Sequence, residues 1–234
     1  MSSPASSKLT AFQREVLDAF FQRERGFFLT GGAALAGFHL GHRTTGDLDL
    51  FTLEQAAFER SRVVLADVAA AVGAVLEVRQ DIPGFKSGVL RRREESVVVD
   101  LVKDMTWQLH PEKLERDHIV VDPADEILAN KLHTIRTVLT RRRGQIFGPP
   151  EERDLVDVML LERLGHSVEA ALPVALAKNG GCTPATLLGL LSEVKIPDGI
   201  ELPAGVAPAE LRTYLADLLR RLRVLAPPEE PAPP

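Results

Sequence analysis

Three aspartates are the residues of this chain best placed to do chemistry. Asp47 and Asp49 stand two apart in Asp47-Leu48-Asp49-Leu50-Phe51, where acidic and apolar residues alternate. In a strand that period puts Leu48 and Leu50 on one face and both carboxylates on the other. Like charges at adjacent same-face positions repel. A hard divalent cation such as Mg²⁺, which takes oxygen ligands, relieves the repulsion. Taken alone, the pair also fits a solvated edge strand with two exposed acids. Asp100 lies inside Ser96-Val97-Val98-Val99-Asp100-Leu101-Val102, a β-branched run that reads as a buried strand. An acid in such a place needs a partner. If this strand lies beside the Asp47–Asp49 strand, three carboxylates converge on two metal ions roughly 3.5–4 Å apart, an arrangement that supports in-line attack on phosphorus. In the alternative, the strand ends at Asp100, which then meets water or an arginine.

Paired glycines precede the acids, with Gly32 fifteen residues before Asp47. Phe27–Thr30 is a short apolar run of strand type. Gly31-Gly32 then lets the backbone turn sharply and approach a ligand without a Cβ in the way. Residues 33–40 carry apolar side chains at helical spacing, with Gly41 as the stop. The unpaired N–H groups of a helix start suit anionic phosphates. On their own the glycines fit an ordinary tight turn as the simpler reading.

The elements that position these groups follow from periodicity. Residues 9–24 read as an amphipathic helix and 54–73 as a second, with strands near 74–80, 86–93 and 96–103. Asp122-Pro123 opens a helix through Leu139, with Asp122 as cap and proline in the first turn. Lys131 lies inside it, as an exposed helix lysine or, facing a cleft, as a partner for a triphosphate. In the segment from Arg153 to Leu161, Leu155, Val158 and Met159 form a buried stripe, while Arg153 and Asp157 stand at i and i+4 and can pair. Gly180-Gly181 and the stretch 197–208 punctuate a helical end that closes with an amphipathic helix at 211–225. The expected division is a loose tail at 1–8, a catalytic domain at 9–121, a helical region at 122–225 and a disordered proline-rich tail at 226–234.

Composition narrows the classes. At 234 residues and 45% hydrophobic content the chain can bury one full core and a smaller helical one. A net charge of −5 argues against general nucleic-acid binding. Arg91-Arg92-Arg93 and Arg141-Arg142-Arg143, with Arg79, Lys86 and Lys103, are local basic groups that either grip RNA phosphates or form a solvated face. No apolar stretch reaches the length of a membrane helix, and the start has no apolar signal region. The single cysteine, Cys182, fits a reducing cytoplasm. The six histidines show no zinc spacing; His39 and His42 suit packing or phosphate contact.

The run Gly31-Gly32-Ala33-Ala34-Leu35 followed by His42-Arg43-Thr44-Thr45-Gly46-Asp47-Leu48-Asp49-Leu50-Phe51 resembles the signature of the DNA polymerase beta-like nucleotidyltransferases. More narrowly, it resembles the AbiEii-type nucleotidyltransferase toxins of bacterial type IV toxin–antitoxin systems. That group shows Gly-Gly, an Arg-x-Ser/Thr-x-Asp-x-Asp element, a later helical lysine and a terminal Arg-Asp-x-x-Asp element. Here these are Gly31-Gly32, Arg43 to Asp49, Lys131 and Arg153-Asp154-Leu155-Val156-Asp157, in order over about residues 27 to 165. Ala33 stands where the family often carries Ser or Thr.

The resemblance implies an α+β fold, a polymerase-beta-like mixed sheet with flanking helices and a C-terminal helical region. It implies transfer of a nucleoside monophosphate from a nucleoside triphosphate to an acceptor hydroxyl. Asp47 and Asp49 would hold two Mg²⁺ ions, and Asp100 would complete one site and assist deprotonation of the acceptor. Gly31, Gly32, Arg43, Thr45, Lys131 and Arg153 would bind phosphate, and Asp157 or Asp154 would hold Lys131 or orient the centre. The implied acceptor is tRNA, with a cognate antitoxin as partner. Two alternatives stand beside it: a nucleotidyltransferase acting on a small molecule or a protein, and a non-catalytic nucleotide-binding descendant.

Overall fold

A computed structural model describes residues 7–143, 152–178 and 180–226, with side chains in 137–143 excepted. The expected tails at 1–8 and 226–234 therefore lie largely outside the described residues, as do the side chains of Arg141 to Arg143. The chain divides into two units, one ending at Ile127 and the other beginning at Leu128.

The first unit is built on a seven-stranded mixed sheet. Its strands are β1 (Phe28–Thr30), β2 (Asp47–Thr52), β3 (Val75–Ile82), β4 (Phe85–Arg92), β5 (Glu95–Lys103), β6 (Leu114–Arg116) and β7 (Ile119–Val121). Their order across the sheet is β3-β4-β5-β2-β1-β7-β6. β2 runs parallel to β5 and antiparallel to β1, while β3, β4 and β5 form an antiparallel meander. The Asp47–Asp49 strand is thus central, which removes the solvated-edge alternative. β5 also continues past Asp100 to Lys103, so Asp100 does not end its strand.

Alternation explains how one strand serves two purposes. Leu48, Leu50, Val97, Val99 and Leu101 are all buried on the core face, and Asp47, Asp49 and Asp100 point the other way and are half-buried. Two helices, α1 (Ala11–Phe21) and α3 (Gln55–Ala71), pack together on the core face. Phe12, Val16, Leu17 and Phe20 of α1 are fully enclosed, and Phe20 meets Phe27 edge to face at 5.5 Å. α1 opens with a capping box in which Thr10 Oγ1 accepts from Gln13 N–H and Gln13 Oε1 accepts from Thr10 N–H.

The helix expected at 33–40 starts two residues early. Gly31–Ala34 form a short α-turn (α2) that widens into a π-turn at Leu35–His39. Gly41 ends it at φ 58°, where the N–H groups of Leu40 and Gly41 both donate to Leu35 O. The sequence reading did not single out β6 and β7, whose three residues each are too few to show a period. β7 nevertheless delivers a central residue, Asp122. Its N–H donates to Leu29 O, its carboxylate accepts from Thr30 Oγ1 at 2.8 Å and from Lys113 Nζ at 2.8 Å, and its carbonyl lies 2.9 Å from His39 Nε2. Asp122 and the Lys113 side chain are both buried. This knot fastens the last residue of β1 immediately before Gly31.

The second unit is helical. Most of α4 (Ala124–Arg143) lies in it, followed by α5 (Glu152–Arg163), α6 (Val168–Lys178), α7 (Pro184–Leu191) and α8 (Pro208–Leu225). Leu155, Val158, Met159, Leu187, Leu211, Leu215, Leu218 and Leu222 are buried. Around Glu162, Arg221 donates at 2.6 and 2.9 Å and Tyr214 Oη at 2.7 Å. Cys182 is buried, and burial pushes its thiol up to about 11 against the pull of Arg136, which leaves it unreactive. No described helix is long and apolar enough to cross a membrane.

Replacing Lys113 by Met leaves the Asp122 carboxylate buried without its cation. Urea unfolding at pH 8 should show a loss of about 3–5 kcal/mol. Burial already raises the proton affinity of Asp122. A group raised in the folded state stabilises at low pH and loses that contribution as pH rises, so the loss in the variant should shrink in acid.

Candidate active site

The pairing registers set the carboxylates in a row. Asp49 on β2 lies opposite Asp100 on β5, and Asp100 lies opposite Ser87 on β4. Thr30, at the end of β1, lies opposite Asp49 on its other side. Directly opposed residues share a face, so Asp49, Asp100 and Ser87 project together from adjacent strands, with Asp47 two residues along. The sheet thereby satisfies the condition on which the three-carboxylate reading depended.

Gly31 adopts φ +63°, and a Cβ built there would fall 2.2 Å from Asp49 Oδ2. The turn is therefore pressed onto the carboxylate and admits only glycine. Gly32 backs onto the other half of the signature, its missing Cβ facing the Arg43 guanidinium at 3.0 Å and Thr45 Oγ1 at 3.3 Å. Gly31, Gly32, Arg43, Thr45, Asp47 and Asp49 are thus brought together in the first unit.

Small hydroxyls orient the acids. Thr45 Oγ1 donates to Asp47 Oδ1, and Ser87 Oγ donates to Asp100 Oδ1 at 2.5 Å. From behind, Gln13 Nε2 donates to Thr45 O at 2.8 Å, tying the cap of α1 to the Thr45–Asp47 loop. Sequence reasoning missed Ser87 and Gln13. Only the pairing of β4 with β5 and the packing of α1 reveal them, because neither residue belongs to a recognisable spacing.

Electrostatics single out Asp100. Burial raises its proton affinity above that of an ordinary aspartate, and Asp47 adds to the rise, while the Ser87 hydrogen bond and the Arg79 charge oppose it. The donor set suits a hard divalent cation. Even so, no three acidic, histidine or cysteine side chains among the described residues are drawn into a ready-made metal cage. The expected three-way convergence is one of strand placement, with Asp47 turned onto Thr45 and Asp100 onto Ser87.

Lys131, Asp154 and Asp157 form a cluster within the second unit. Lys131 Nζ donates to Asp154 Oδ1 at 2.7 Å and lies 2.8 Å from Asp157 Oδ2, with all three residues buried. Burial disfavours the ammonium, but Asp157 and Asp154 outweigh it and hold the proton more tightly than in a free lysine. Both aspartates of the Arg-Asp-x-x-Asp element thus grip the lysine, and Arg153 is exposed at the start of α5.

The basic residues separate into roles. Arg91 pairs with Glu77, Arg92 bridges Glu15 and Glu95, and Arg93 sits at the hairpin tip with φ 55°. Lys86 Nζ donates to Phe58 O and Lys103 Nζ to Leu53 O. Arg91, Arg92, Lys86 and Lys103 are thus tied to the fold, while Arg79 and Arg93 are exposed.

Replacing Gly31 by Ala combines a left-handed backbone with a collision at Asp49, and should displace the Asp49 carboxylate and cost about 1–3 kcal/mol of stability by urea unfolding. Gly32→Ala meets the end of a flexible arginine and should be markedly milder. Asp100→Asn keeps the shape but removes a half-buried charge beside Asp47, so its thermal midpoint at neutral pH should rise above wild type. Because the raised Asp100 takes up its proton on acidification, that gap should close as pH falls.

Two solved structures from Helicobacter pylori share this fold. One, of a candidate nucleotidyltransferase, is 17% identical, covers 92% of this chain and 95% of its own, and superposes with a TM-score of 0.52. The other, of the protein JHP933, is also 17% identical, covers 91% of each chain and has a TM-score of 0.52. No curated protein matches the chain. The family model for the nucleotidyl transferase AbiEii toxin of type IV toxin–antitoxin systems matches residues 15–231, which takes in both units and every element of the signature. The chain therefore belongs to the AbiEii family and is a nucleotidyltransferase.

Proposed function

We propose that the protein transfers a nucleoside monophosphate from a nucleoside triphosphate to a hydroxyl of tRNA, and that a cognate antitoxin restrains it. The observation that carries the reading is the side-by-side placement of Asp49 and Asp100 on central strands, with Gly31 pressed against Asp49. Asp47, Asp49 and Asp100 are the donors for Mg²⁺, which when bound would neutralise the carboxylates and polarise the phosphoryl oxygens. The backbone of Gly31-Gly32, with Arg43 and Thr45 beside it, receives the triphosphate. Asp100, oriented by Ser87, takes the proton of the attacking hydroxyl.

For Lys131 and Arg153 the support for phosphate binding is the family pattern alone. The hydrogen bonds of Lys131 favour a second role, a brace between α4 and α5. The choice of tRNA likewise rests on the family, which leaves small-molecule and protein acceptors as the rival outcomes.

Each of the four α-labelled nucleoside triphosphates is offered with total tRNA and Mg²⁺ to wild type and Asp49→Ala. Wild type should label RNA with at least one of them. The variant should lose several kcal/mol of transition-state stabilisation, roughly a thousandfold in rate or more. Nucleotide binding without label in RNA would remove tRNA as acceptor.

A further inference from the structure

Arg79 lies on β3, the edge strand nearest the carboxylate row on the side away from the glycine turn. Val78 pairs with Gly88 and Gln80 with Ser87, which leaves Arg79 as the extra residue of a β-bulge. The bulge decides where the side chain goes. Gly88 belongs to the core face, since a Cβ there would meet Leu76 and Leu65. Val78 shares that face by register, so Arg79 turns to the carboxylate face by alternation. Gln80, opposite Ser87, stays on the carboxylate face because the bulge has shifted the register. Two successive side chains thus lie on the face that carries the acids.

Arg79 is exposed and has no hydrogen-bond or ion-pair partner among the described residues, whereas Arg62 and Arg91 are bound to Asp81 and Glu77. Its charge is nonetheless felt at Asp100. An unpaired guanidinium on the face that carries the carboxylates is spare binding capacity for an anion.

Position says which anion. Reading across the face, the glycine turn follows β1, Asp49 is on β2, Asp100 on β5, Ser87 on β4 and Arg79 on β3. On the reading of the previous section, on which this inference rests, the triphosphate lies at the Gly31-Gly32 end and pyrophosphate leaves there. In-line displacement brings the attacking hydroxyl from the opposite end, over β5 and β4. That places Arg79 about two strand spacings, roughly 10 Å, beyond Asp100 by backbone, within reach of a group just behind the hydroxyl. We propose that Arg79 binds a backbone phosphate of an RNA acceptor next to the nucleotide whose hydroxyl is attacked. Its role is to position the acceptor rather than to hold the triphosphate.

The test compares the full-length chain with Arg79→Gln and Arg79→Lys. Binding of total tRNA is measured over a salt series without nucleotide, nucleotide affinity is measured separately, and the acceptor KM comes from label transfer. Arg79→Gln should weaken RNA binding on the order of tenfold. It should also flatten the salt dependence by roughly 0.7 of a log unit per log unit, the signature of one lost phosphate contact on a single strand. The acceptor KM should rise while nucleotide affinity stays unchanged, and Arg79→Lys should recover part of the loss. Unchanged RNA affinity, salt slope and acceptor KM in Arg79→Gln, with wild type labelling RNA normally, would overturn the proposal and leave the transferase reading intact. A fall in nucleotide affinity with RNA binding unaltered would overturn it in favour of a triphosphate contact. A wild-type protein that binds nucleotide but neither binds nor labels RNA would remove the RNA acceptor, and this role with it.

Discussion

Asp49 and Asp100 stand opposite each other on parallel strands at the centre of the sheet, and two carboxylates so placed repel. Much of the first unit can be understood as what is needed to keep them there. Leu48 and Leu50 anchor β2 from the core face, and Val97, Val99 and Leu101 anchor β5. The apolar alternation that buries one face of each strand is what obliges the acids onto the other. Thr45 and Ser87 then absorb one oxygen each from Asp47 and Asp100. Burial, with a smaller push from Asp47, still raises the proton affinity of Asp100. A stability penalty held at a reactive centre is the usual relation between site and scaffold.

The glycine turn answers to the same constraint. Gly31 can lie against Asp49 only because it has no Cβ and tolerates a left-handed backbone. Its position is set by β1, whose last residue is fastened by Asp122, itself held by Lys113. A buried ion pair of this kind adds little net stability, since desolvation offsets its attraction. What it contributes is a fixed exit from β1. Lys131 with Asp154 and Asp157 repeats the device in the helical unit, where one ammonium ties α4 to α5.

Much of this was legible in the chain. The alternation in Asp47–Phe51 and the β-branched run around Asp100 carried enough period to specify strands and faces, and the paired glycines marked a turn before a helix, whereas Arg43 and Thr45 were readable only through the family resemblance. Less visible were features that depend on pairing between distant segments. Ser87 becomes significant only when β4 lies beside β5. Gln13 becomes so only when α1 docks behind the Thr45 loop. Arg79 was readable as a positive charge near the cleft, but its direction depends on a bulge that no local pattern announces. β6 and β7 were too short to show a period. Arg91 and Arg92, readable as either a grip for RNA or a solvated face, are occupied by Glu77 and Glu95 of the neighbouring strands and by Glu15 of α1.

The central claim is that the face shared by Asp49 and Asp100 is where nucleotide and metal meet. Crystals of the protein grown with a non-hydrolysable nucleoside triphosphate and Mn²⁺ would locate the metal by its anomalous scattering. The account predicts manganese between Asp49 and Asp100, with the triphosphate running onto Gly31-Gly32. Nucleotide and manganese bound elsewhere, with this face left empty, would contradict it.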